Sequence, residues 1–468
     1  MSVRQIVPDV VAQFRQELTD LVKAVEGEEL DPVMFTQFVD GLKAALASAG
    51  RQAFVRFVEL QDEADDLFDH DSKRYRFKQV SPKEWLTPFG LVQIDRRYFQ
   101  PDVGGDGASP IDLRCGMSGR FMTPDVEEAI AFASANLSPT VTRSLFAKIL
   151  PHPPSEKAIR RTIAELGQWA DEAWDEVEDR VAREAPLPEG ELLVVSVDGV
   201  TVPLREPGCK TGRPAERPGV RESNRTPTAW REAGVGTVSI YRPGDGEEEL
   251  PERLATKYLA RMPEPGMKTL FDDQGWTVRE LVKERTFREL VVLCDGKPAL
   301  WNTFEDDPVY DEATQILDFF HAAEHLSQAA EAAFGKKEQA ASRWYAKYRA
   351  RLLEDPDGLD SVLRSLRYYR KSLRSGSERR QVVERVIRYY GRNRERMRYA
   401  DFRARGLPVG SGVVEAACKC IVNARLKRSG MRWSRTGGQH VLNLRVRVQS
   451  GEWEPFWGTY RDQRLRAA

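Results

Sequence analysis

Two short apolar segments constrain the fold of this 468-residue chain more than any other feature. Each runs into an Asp-Gly pair: "ELLVVSVDGV" reaches Asp198, and "ELVVLCDGKPALWN" reaches Asp295. A continuous apolar run of this length, bounded by turn residues, is typical of a buried β-strand. For either aspartate alone, ordinary turn chemistry is the favoured interpretation. Together the two segments predict an α/β protein in which aspartates at the ends of neighbouring strands can converge on one point.

Segments between and after these strands complete the predicted core. "AGVGTVSIY" predicts another strand, and helical sequence with several breaks follows a loop at about 205–229 and continues to about residue 287. "TQILDFF" predicts a last strand that leads into a helix near His321. The chain is then helical and basic to about residue 400, and a Gly/Pro break precedes a helix that carries Glu415.

The part of the chain before this core predicts a mainly helical region that contains a β-hairpin. Residues 1–70 have the apolar spacing of two helices, and residues 71–120 contain the hairpin and a following loop. Residues 121–187 predict three helical pieces, with Ser138 and Ser155 as N-caps of the second and third. Short helices separated by tight turns are compatible with a helix-turn-helix DNA reader, and equally with any helical bundle.

The net charge of −1 hides a strong asymmetry along the chain. Residues 336–468 contain 32 Lys and Arg against 13 Asp and Glu, whereas residues 1–335 contain 39 against 59. Such a basic segment predicts a polyanionic partner, because arginine grips phosphate through two parallel hydrogen bonds. The alternative is a solvated, arginine-rich helical surface. We expect nucleic acid as the partner.

Composition argues against two other classes of protein. The chain has no apolar run of eighteen or more residues, so no membrane span is expected, and its first residues lack the apolar centre of a signal peptide. The five cysteines are not arranged in C-x-x-C pairs, so neither a disulfide framework nor a cysteine-based zinc site is predicted. We expect a cytoplasmic protein.

The stretch "DFFHAAEHL" offers a competing chemistry. His321 and His325 lie one helical turn apart with Glu324 beside them, which is the H-x-x-E-H arrangement of one class of zinc peptidases. That class needs a third ligand, which nothing in the sequence singles out. It would also leave the two Asp-Gly strands unexplained. His321 is instead expected at the start of a helix, where it contacts a bound phosphate or orients an acid.

Asp198, Asp295 and Glu415 together predict a metal site. Three carboxylates that met without a countercharge would repel one another and could not all remain ionised. A pair of Mg²⁺ ions removes this repulsion, because Mg²⁺ prefers oxygen ligands. Two such ions stabilise both the attacking and the leaving oxygen in a phosphoryl displacement.

The order of these elements and several motifs resemble a known family. Strand with Asp, further strands, helix, strand with Asp, strand and helix with Glu is the order of the RNase H-like fold. Residues 190–450 resemble the catalytic region of DDE transposases from bacterial insertion sequences, a group allied to retroviral integrases. The motifs that carry the resemblance are "VVSVDGV", "VVLCDGKPALWN", "ILDFFHAAEHL", "GLPVGSGVVEAACKCIVNARLKRSGMRW" and, ahead of the helical region, "TPFGLVQIDRRYF".

The resemblance implies a fold, an activity and a set of site residues. Asp198, Asp295 and Glu415 would be the three metal-binding acids for two Mg²⁺ ions, which Mn²⁺ could replace. The protein would cut the ends of an insertion sequence and join them to target DNA as a homodimer or larger assembly. Helices within residues 1–184 would recognise the terminal inverted repeats. Relatives often carry cysteine pairs after the hairpin, whereas this chain has Cys115 alone.

The resemblance also implies a division of the C-terminal part of the chain into four segments. These are an RNase H-like core (188–325), a basic helical insertion (326–405), the Glu helix with the helix after it (406–450), and a C-terminal tail (451–468).

A basic segment that follows Glu415 is expected to contact DNA. Lys419 falls four residues later on the same helical face, where it could hold a phosphate or pair with Glu415. The rest of the segment is expected to contact phosphates more than base edges, with a tryptophan available to stack on an unpaired base. These residues are Arg425, Lys427, Arg428, Arg432 and Trp433.

Two alternatives to transposition remain open at the level of sequence. One is a nuclease on the same fold, acting on branched DNA or RNA–DNA hybrids without strand transfer. The other is a DNA-binding regulator that retains the fold without chemistry, which the presence of all three acids disfavours.

Overall fold

The chain folds as a mixed α/β protein with two compact units. The structure, a computed structural model, describes residues 3–27, 29–62, 65–206, 229–244, 249–336 and 338–466, without the side chains of residues 3–6. The units are Met1–Val181 together with Trp453–Ala468, and Ala182–Glu452. The predicted loop at about 205–229 lies largely outside the described residues.

The first unit begins with two helices and a three-stranded antiparallel sheet. These elements are α1 (Val3–Lys23), α2 (Pro32–Leu60), β1 (Leu67–His70), β2 (Lys73–Thr87) and β3 (Gly90–Pro101). β2 and β3 form the predicted hairpin, and β1 adds a third strand along β2. Gly90 has φ +110°, which explains a glycine at the turn.

Five helices follow in the first unit. They are α3 (Pro110–Arg114), α4 (Pro124–Asn136), α5 (Pro139–Ile149), α6 (Glu156–Glu172) and α7 (Trp174–Glu184). The two predicted N-caps are confirmed, because the hydroxyls of Ser138 and Ser155 accept hydrogen bonds from the backbone N–H groups of Val141 and Ala158. The third predicted helical piece is two helices, α6 and α7, which meet at Ala173.

A five-stranded mixed sheet forms the centre of the second unit. Its strands are β4 (Leu192–Pro203), β5 (Trp230–Arg242), β6 (Glu252–Arg261), β7 (Glu289–Cys294) and β8 (Thr314–Leu317), in the order β6-β5-β4-β7-β8. β5 pairs antiparallel with β4 and β6, whereas β7 is parallel to β4 and β8. The central strands β4 and β7 are buried along their apolar runs, as their sequences predict.

The remaining helices complete the chain, and the last of them belongs to the first unit. They are α8 (Lys268–Glu284), α9 (Pro298–Glu305), α10 (Phe319–Phe334), α11 (Gln339–Glu354), α12 (Gly358–Ser372), α13 (Glu378–Arg392), α14 (Tyr399–Ala404), α15 (Gly412–Ala417), α16 (Ala424–Leu426), α17 (Arg435–Gln449) and α18 (Trp453–Arg466). A π-helical segment, Cys418–Asn423, connects α15 to α16.

The helices of the predicted insertion share one apolar core with the sheet. Val291 of β7 and Ile316 of β8 belong to the same buried cluster as Val362 of α12, Val383 of α13 and Phe402 of α14. Each fully buried aliphatic or aromatic side chain of this kind contributes about 1.5–3 kcal/mol. The insertion is therefore held against the sheet by hydrophobic packing.

Two segments differ from the sequence-based expectation. Residues 252–261 were expected to be helical but form β6, because pairing with β5 outweighs the helix propensity of "ERLATKYLAR". Residues 453–466 were expected to be a tail but form α18, whose buried residues include Trp453, Phe456 and Tyr460.

Candidate active site

The first two predicted acids lie next to each other on the central strands β4 and β7, at the end of the sheet where the parallel pairing of these strands stops. β4 does not end at Asp198, as its Asp-Gly pair suggests, but continues to Pro203 along β5. Its parallel pairing with β7 stops at Val195, so Asp198 projects past the end of β7. Asp295 directly follows β7. The two carboxylates therefore meet where the parallel part of the sheet ends.

One ammonium group lies between these carboxylates. Lys297 Nζ is 3.4 Å from Asp295 Oδ2 and 4.0 Å from Asp198 Oδ1. It is also 3.1 Å from Oε1 of Glu232, a residue of β5. The structure thus gathers Asp198, Asp295 and Glu232 around a single positive charge.

The glycines of the two Asp-Gly pairs are explained by close approach of other side chains. A Cβ atom at position 199 would overlap the carboxylate of Glu232, and one at position 296 would overlap the hydroxyl of Tyr389. The aspartates are oriented by short local hydrogen bonds: Gly199 N donates to Asp198 Oδ1 at 2.7 Å, and Lys297 N donates to Asp295 Oδ1 at 2.9 Å. Gly199 lies within β4 rather than in a turn, so its role is to admit Glu232.

Glu415 lies in a second group of ligand atoms with Asp318 and His321. One ligand atom from each of these three residues lies within 4.8 Å of the others. Asp318 is fully buried, caps α10 by accepting a hydrogen bond from Phe320 N at 2.8 Å, and accepts one from the Ser411 hydroxyl. Its carboxylate therefore connects the end of β8 to the segment that carries Glu415.

Two contacts join the second group to the first. The backbone N–H of Asp318 donates to the carbonyl of Cys294, the residue before Asp295, at 2.8 Å. The Sγ atom of Cys418 is 3.7 Å from Asp198 Oδ2. Burial, followed by the negative charge of Asp198, raises the pKa of the Cys418 thiol, so the thiol keeps its proton and donates to Asp198. The two groups form one candidate active site, which we call the acid site.

Negative charge exceeds positive charge in the acid site. In the described part of the chain, the ion pairs of its five carboxylates come from two lysines, Lys297 with three of them and Lys419 with Glu415 at 3.8 Å. The carboxylates belong to Asp198, Glu232, Asp295, Asp318 and Glu415. Such an excess fits divalent cations, because it needs a countercharge.

The donor atoms indicate which cations the acid site can hold. Asp198 and Asp295 offer oxygen alone, which suits Mg²⁺. The group of Asp318, His321 and Glu415 adds an imidazole nitrogen, which suits softer ions such as Mn²⁺ or Zn²⁺ better than Mg²⁺. Sequence reasoning missed Asp318, although an Asp directly before a helix is recognisable as an N-cap.

The second histidine of the H-x-x-E-H stretch has another environment. The ring of His325 packs on Tyr389 with centroids 4.1 Å apart, and its Nδ1 atom is buried without a hydrogen-bond partner in the structure. Burial, with a smaller contribution from His321, lowers the pKa of His325 and favours its neutral form. Among the described residues, the group able to hold a metal contains His321 but lacks His325, which disfavours the peptidase interpretation.

The residues predicted to contact DNA divide into exposed and enclosed ones. Lys419 is exposed and lies in the π-helical segment, a rare form that is frequent at functional sites. Arg428 and Arg432 are also exposed, whereas Lys427 is half-buried near the ring of Trp230.

Two of the predicted DNA-contacting residues are built into the fold. Arg425 is fully buried with its guanidinium over the ring of Trp433, 5.2 Å from the ring centroid. The indole of Trp433 donates to the Leu426 carbonyl at 2.9 Å. The prediction that Arg425 contacts phosphates is therefore wrong, because its side chain is buried. The ring of Trp433 packs against Arg425 and its indole N–H is hydrogen-bonded to Leu426, so the side chain is part of the fold.

A row of exposed arginines on α13 lies beside the acid site. Arg385, Arg388 and Arg392 share one helical face, since successive members are three or four residues apart, and Tyr389 lies one helical turn from Arg385 and from Arg392. Tyr389 packs on His325 and lies against Gly296, next to Asp295. In the part of the chain that the structure describes, these three arginines make no ion pair. We call them the α13 arginine row.

Comparisons with known proteins do not assign this chain to a family. No family model matches it, and no curated protein matches it with significance. None of the helices in the described ranges is long and apolar enough to cross a membrane.

Proposed function

We propose that this protein is a DDE-type DNA transposase with an RNase H-like catalytic core. The observation that carries the proposal is the acid site, in which the carboxylates of Asp198 and Asp295 lie together beside the ammonium of Lys297. The element order supports it: β4 with Asp198, β5, β6, α8, β7 followed by Asp295, α9, β8, and, after the five helices α10 to α14, the helix of Glu415. This order agrees with that of the RNase H-like fold inferred from the sequence.

Divalent cations at this site would supply the chemistry of phosphoryl transfer. Bound Mg²⁺ lowers the pKa of an attacking water or hydroxyl and stabilises the leaving oxygen. Asp198, Asp295 and Glu415 would hold the cations, and Asp318 and His321 would orient Glu415 or take part in binding. Lys419 extends from the helix of Glu415 and is free to reach a phosphate oxygen, because its side chain is 74% exposed.

DNA is the proposed partner because unpaired arginines flank the acid site. Arginines whose charge is already balanced contribute little to binding a polyanion, whereas unpaired ones can each replace a counterion on a phosphate. The α13 arginine row meets this condition, and two of its members, Arg385 and Arg392, are one helical turn from Tyr389, which lies against the Asp295 loop. A DNA strand that follows the row would therefore end at the acid site.

Other elements of the proposal rest on the resemblance alone. Helices within residues 1–184 would recognise terminal inverted repeats, and a homodimer or larger assembly would allow both ends to be cut together. Water would cut at the element's end, and the freed 3′-hydroxyl would attack a target phosphate in the same site.

The decisive experiment is strand cleavage and joining with purified protein. A labelled DNA end from the gene's own flanks is incubated with Mg²⁺ beside Glu415→Gln, which keeps the shape of the side chain but removes its charge. We expect nicking and joining by the wild type and a loss on the order of 10³-fold in the variant, because cation stabilisation of the transition state is worth several kcal/mol. Glu395→Gln is the matched control, since Glu395 is 80% exposed on a surface turn.

Three results would change the proposal. Nicking without joining would favour a nuclease on the same fold. Tight DNA binding without cleavage, under Mn²⁺ as well as Mg²⁺, would favour a regulator without chemistry. Equal activity of Glu415→Gln and the wild type would exclude Glu415 from the machinery.

A further inference from the structure

Lys297 occupies the position in the acid site where a bound cation would be expected. Its ammonium lies 3.4 Å from an Asp295 oxygen and 4.0 Å from an Asp198 oxygen. These are two of the three proposed cation ligands, and Lys297 balances part of their charge. A divalent cation held by both aspartates would compete with this ammonium, because like charges repel strongly at such short range.

The backbone of Lys297 is fixed while its side chain can move. Its N–H donates to Asp295 Oδ1 at 2.9 Å, and Pro298 begins α9 directly after it. The ammonium is carried by a flexible four-carbon stem, and the side chain is 47% exposed. The ammonium can therefore leave the aspartates without any movement of the strand end or of α9.

Glu232 also holds the ammonium and can retain it when it leaves the aspartates. Its Oε1 atom is the nearest carboxylate oxygen to Lys297 Nζ, at 3.1 Å, and Glu232 is 45% exposed on β5. Its carboxylate crosses β4 at Gly199, where any larger residue would block it.

We propose that Lys297 is an exchangeable internal counter-ion: its ammonium neutralises Asp198 and Asp295 before a divalent cation binds, and withdraws from them while remaining on Glu232 when one does. The inference rests on the cation site of the proposed function but does not require transposition. It gives Lys297 and Glu232 a defined role in setting the concentration of Mg²⁺ or Mn²⁺ at which the site fills.

Cation binding to the full chain without DNA tests this role. Mn²⁺ titration, followed by calorimetry and by the electron paramagnetic resonance of free Mn²⁺, gives a Kd without any need for activity. We expect Lys297→Met to bind Mn²⁺ about tenfold more tightly than the wild type, equivalent to ~1.4 kcal/mol. The matched control is Lys419→Met, which also removes an ammonium close to a site carboxylate, 3.8 Å from Glu415. The control should change Kd by a smaller factor.

A second measurement, Mn²⁺ binding by the Glu232 and Lys297 single and double variants, distinguishes a counter-ion role of Lys297 from a general effect of its charge. Glu232→Gln should weaken Mn²⁺ binding in the wild-type background, because no carboxylate then retains the ammonium away from the two aspartates, and should have no effect in Lys297→Met. An equal loss in both backgrounds would overturn the inference, since Glu232 would then act on the cation directly. The thermal midpoint of Lys297→Met should rise more on Mn²⁺ addition than that of the wild type, which also shows that the variant folds.

The remaining outcomes distinguish the two proposals. If the wild type binds Mn²⁺ and Lys297→Met binds it equally or more weakly, the counter-ion role is wrong and the cation site stands. If neither protein binds Mn²⁺ or Mg²⁺, both the counter-ion role and the proposed catalytic site are wrong.

Discussion

Two carboxylate clusters, one in each unit, differ in how their charge is balanced. In the first unit, buried Asp112 pairs with Lys83 at 2.8 Å and with Arg96 at 3.0 Å. In the second unit, Asp198 and Asp295 share one lysine with a further carboxylate. In the first cluster, two cationic side chains surround one carboxylate. In the second, one cationic side chain lies among three carboxylates, so the cluster has an excess of negative charge.

This difference separates a structural ion cluster from a binding site. Burial raises the pKa of Asp112, and Lys83 and Arg96 oppose this effect, so the charge of the carboxylate is balanced within the fold. Nothing needs to bind there. Under the proposed function, the acid site reaches charge balance when a divalent cation joins it.

The largest effect, on the free energy of unfolding, is expected when an aspartate is replaced by asparagine in each of the two clusters. Asp112→Asn should lower the free energy of unfolding of the first unit by about 3–5 kcal/mol, because it leaves two largely buried cations without their partner. Asp295→Asn should leave the second unit within about 0.5 kcal/mol of the wild type or stabilise it, since the acid site loses surplus negative charge. Urea unfolding gives the energies, and hydrogen exchange of β3 and β7 assigns them to the units.

Equal destabilisation by the two substitutions would contradict the comparison. The acid site would then be an ion cluster that the fold needs, and its carboxylates would require another explanation.

A smaller effect, on the salt dependence of DNA binding, is expected when arginines without an ion pair are compared with arginines that have one. Replacing the α13 arginine row, Arg385, Arg388 and Arg392, with Gln should reduce the slope of log Kobs for DNA against log salt concentration by about 3. Arg394 and Arg398 are the matched controls, because they pair with Asp360 at 2.7 Å and with Asp401 at 2.9 Å.

Fluorescence anisotropy in EDTA measures this effect without cleavage. If Arg394→Gln with Arg398→Gln lowers the slope as much as the triple variant does, ion pairing does not decide which arginines contact DNA. A slope unchanged in the triple variant would move the DNA path away from α13.

The smallest effect is expected from a group that the fold keeps uncharged. The pKa of His325 is lowered in the folded protein, so its contribution to stability is present above its ordinary value of 6.5 and is lost as pH falls. The unfolding free energy should therefore decrease below about pH 6.5. His325→Phe should flatten this decrease, whereas His152→Phe, at an exposed position, should not. Urea unfolding at a series of pH values measures the difference, and identical pH profiles would contradict it.

Features with local causes could be predicted from the sequence. The buried runs of β4 and β7 are apolar because both faces are covered, and the Asp198 and Asp295 positions follow from them. The caps Ser138 and Ser155 were recognisable because a capping hydroxyl contacts a backbone group three residues away.

Features that depend on distant contacts could not be predicted. β6 has helix-forming residues and is a strand because β5 pairs with it. Arg425 has the charge of a phosphate ligand but is buried against Trp433, and charge alone does not reveal burial. The contact between Lys297 and Glu232 joins positions 65 residues apart, so no local sequence pattern predicts it.

The long separation within the acid site has a consequence for synthesis of the protein. Asp198 and Cys418, which contact each other, are 220 positions apart. At roughly 5–20 residues per second, a ribosome needs about 10–45 s to add the intervening residues. Late in that interval the nascent chain contains the sequence of its arginine-rich helices but has neither Glu415 nor the Ser411 partner of Asp318. A chain released before residue 411 therefore lacks a complete acid site. Under the proposed function, an interrupted copy of the gene would retain the arginines proposed to contact DNA but could not cut it.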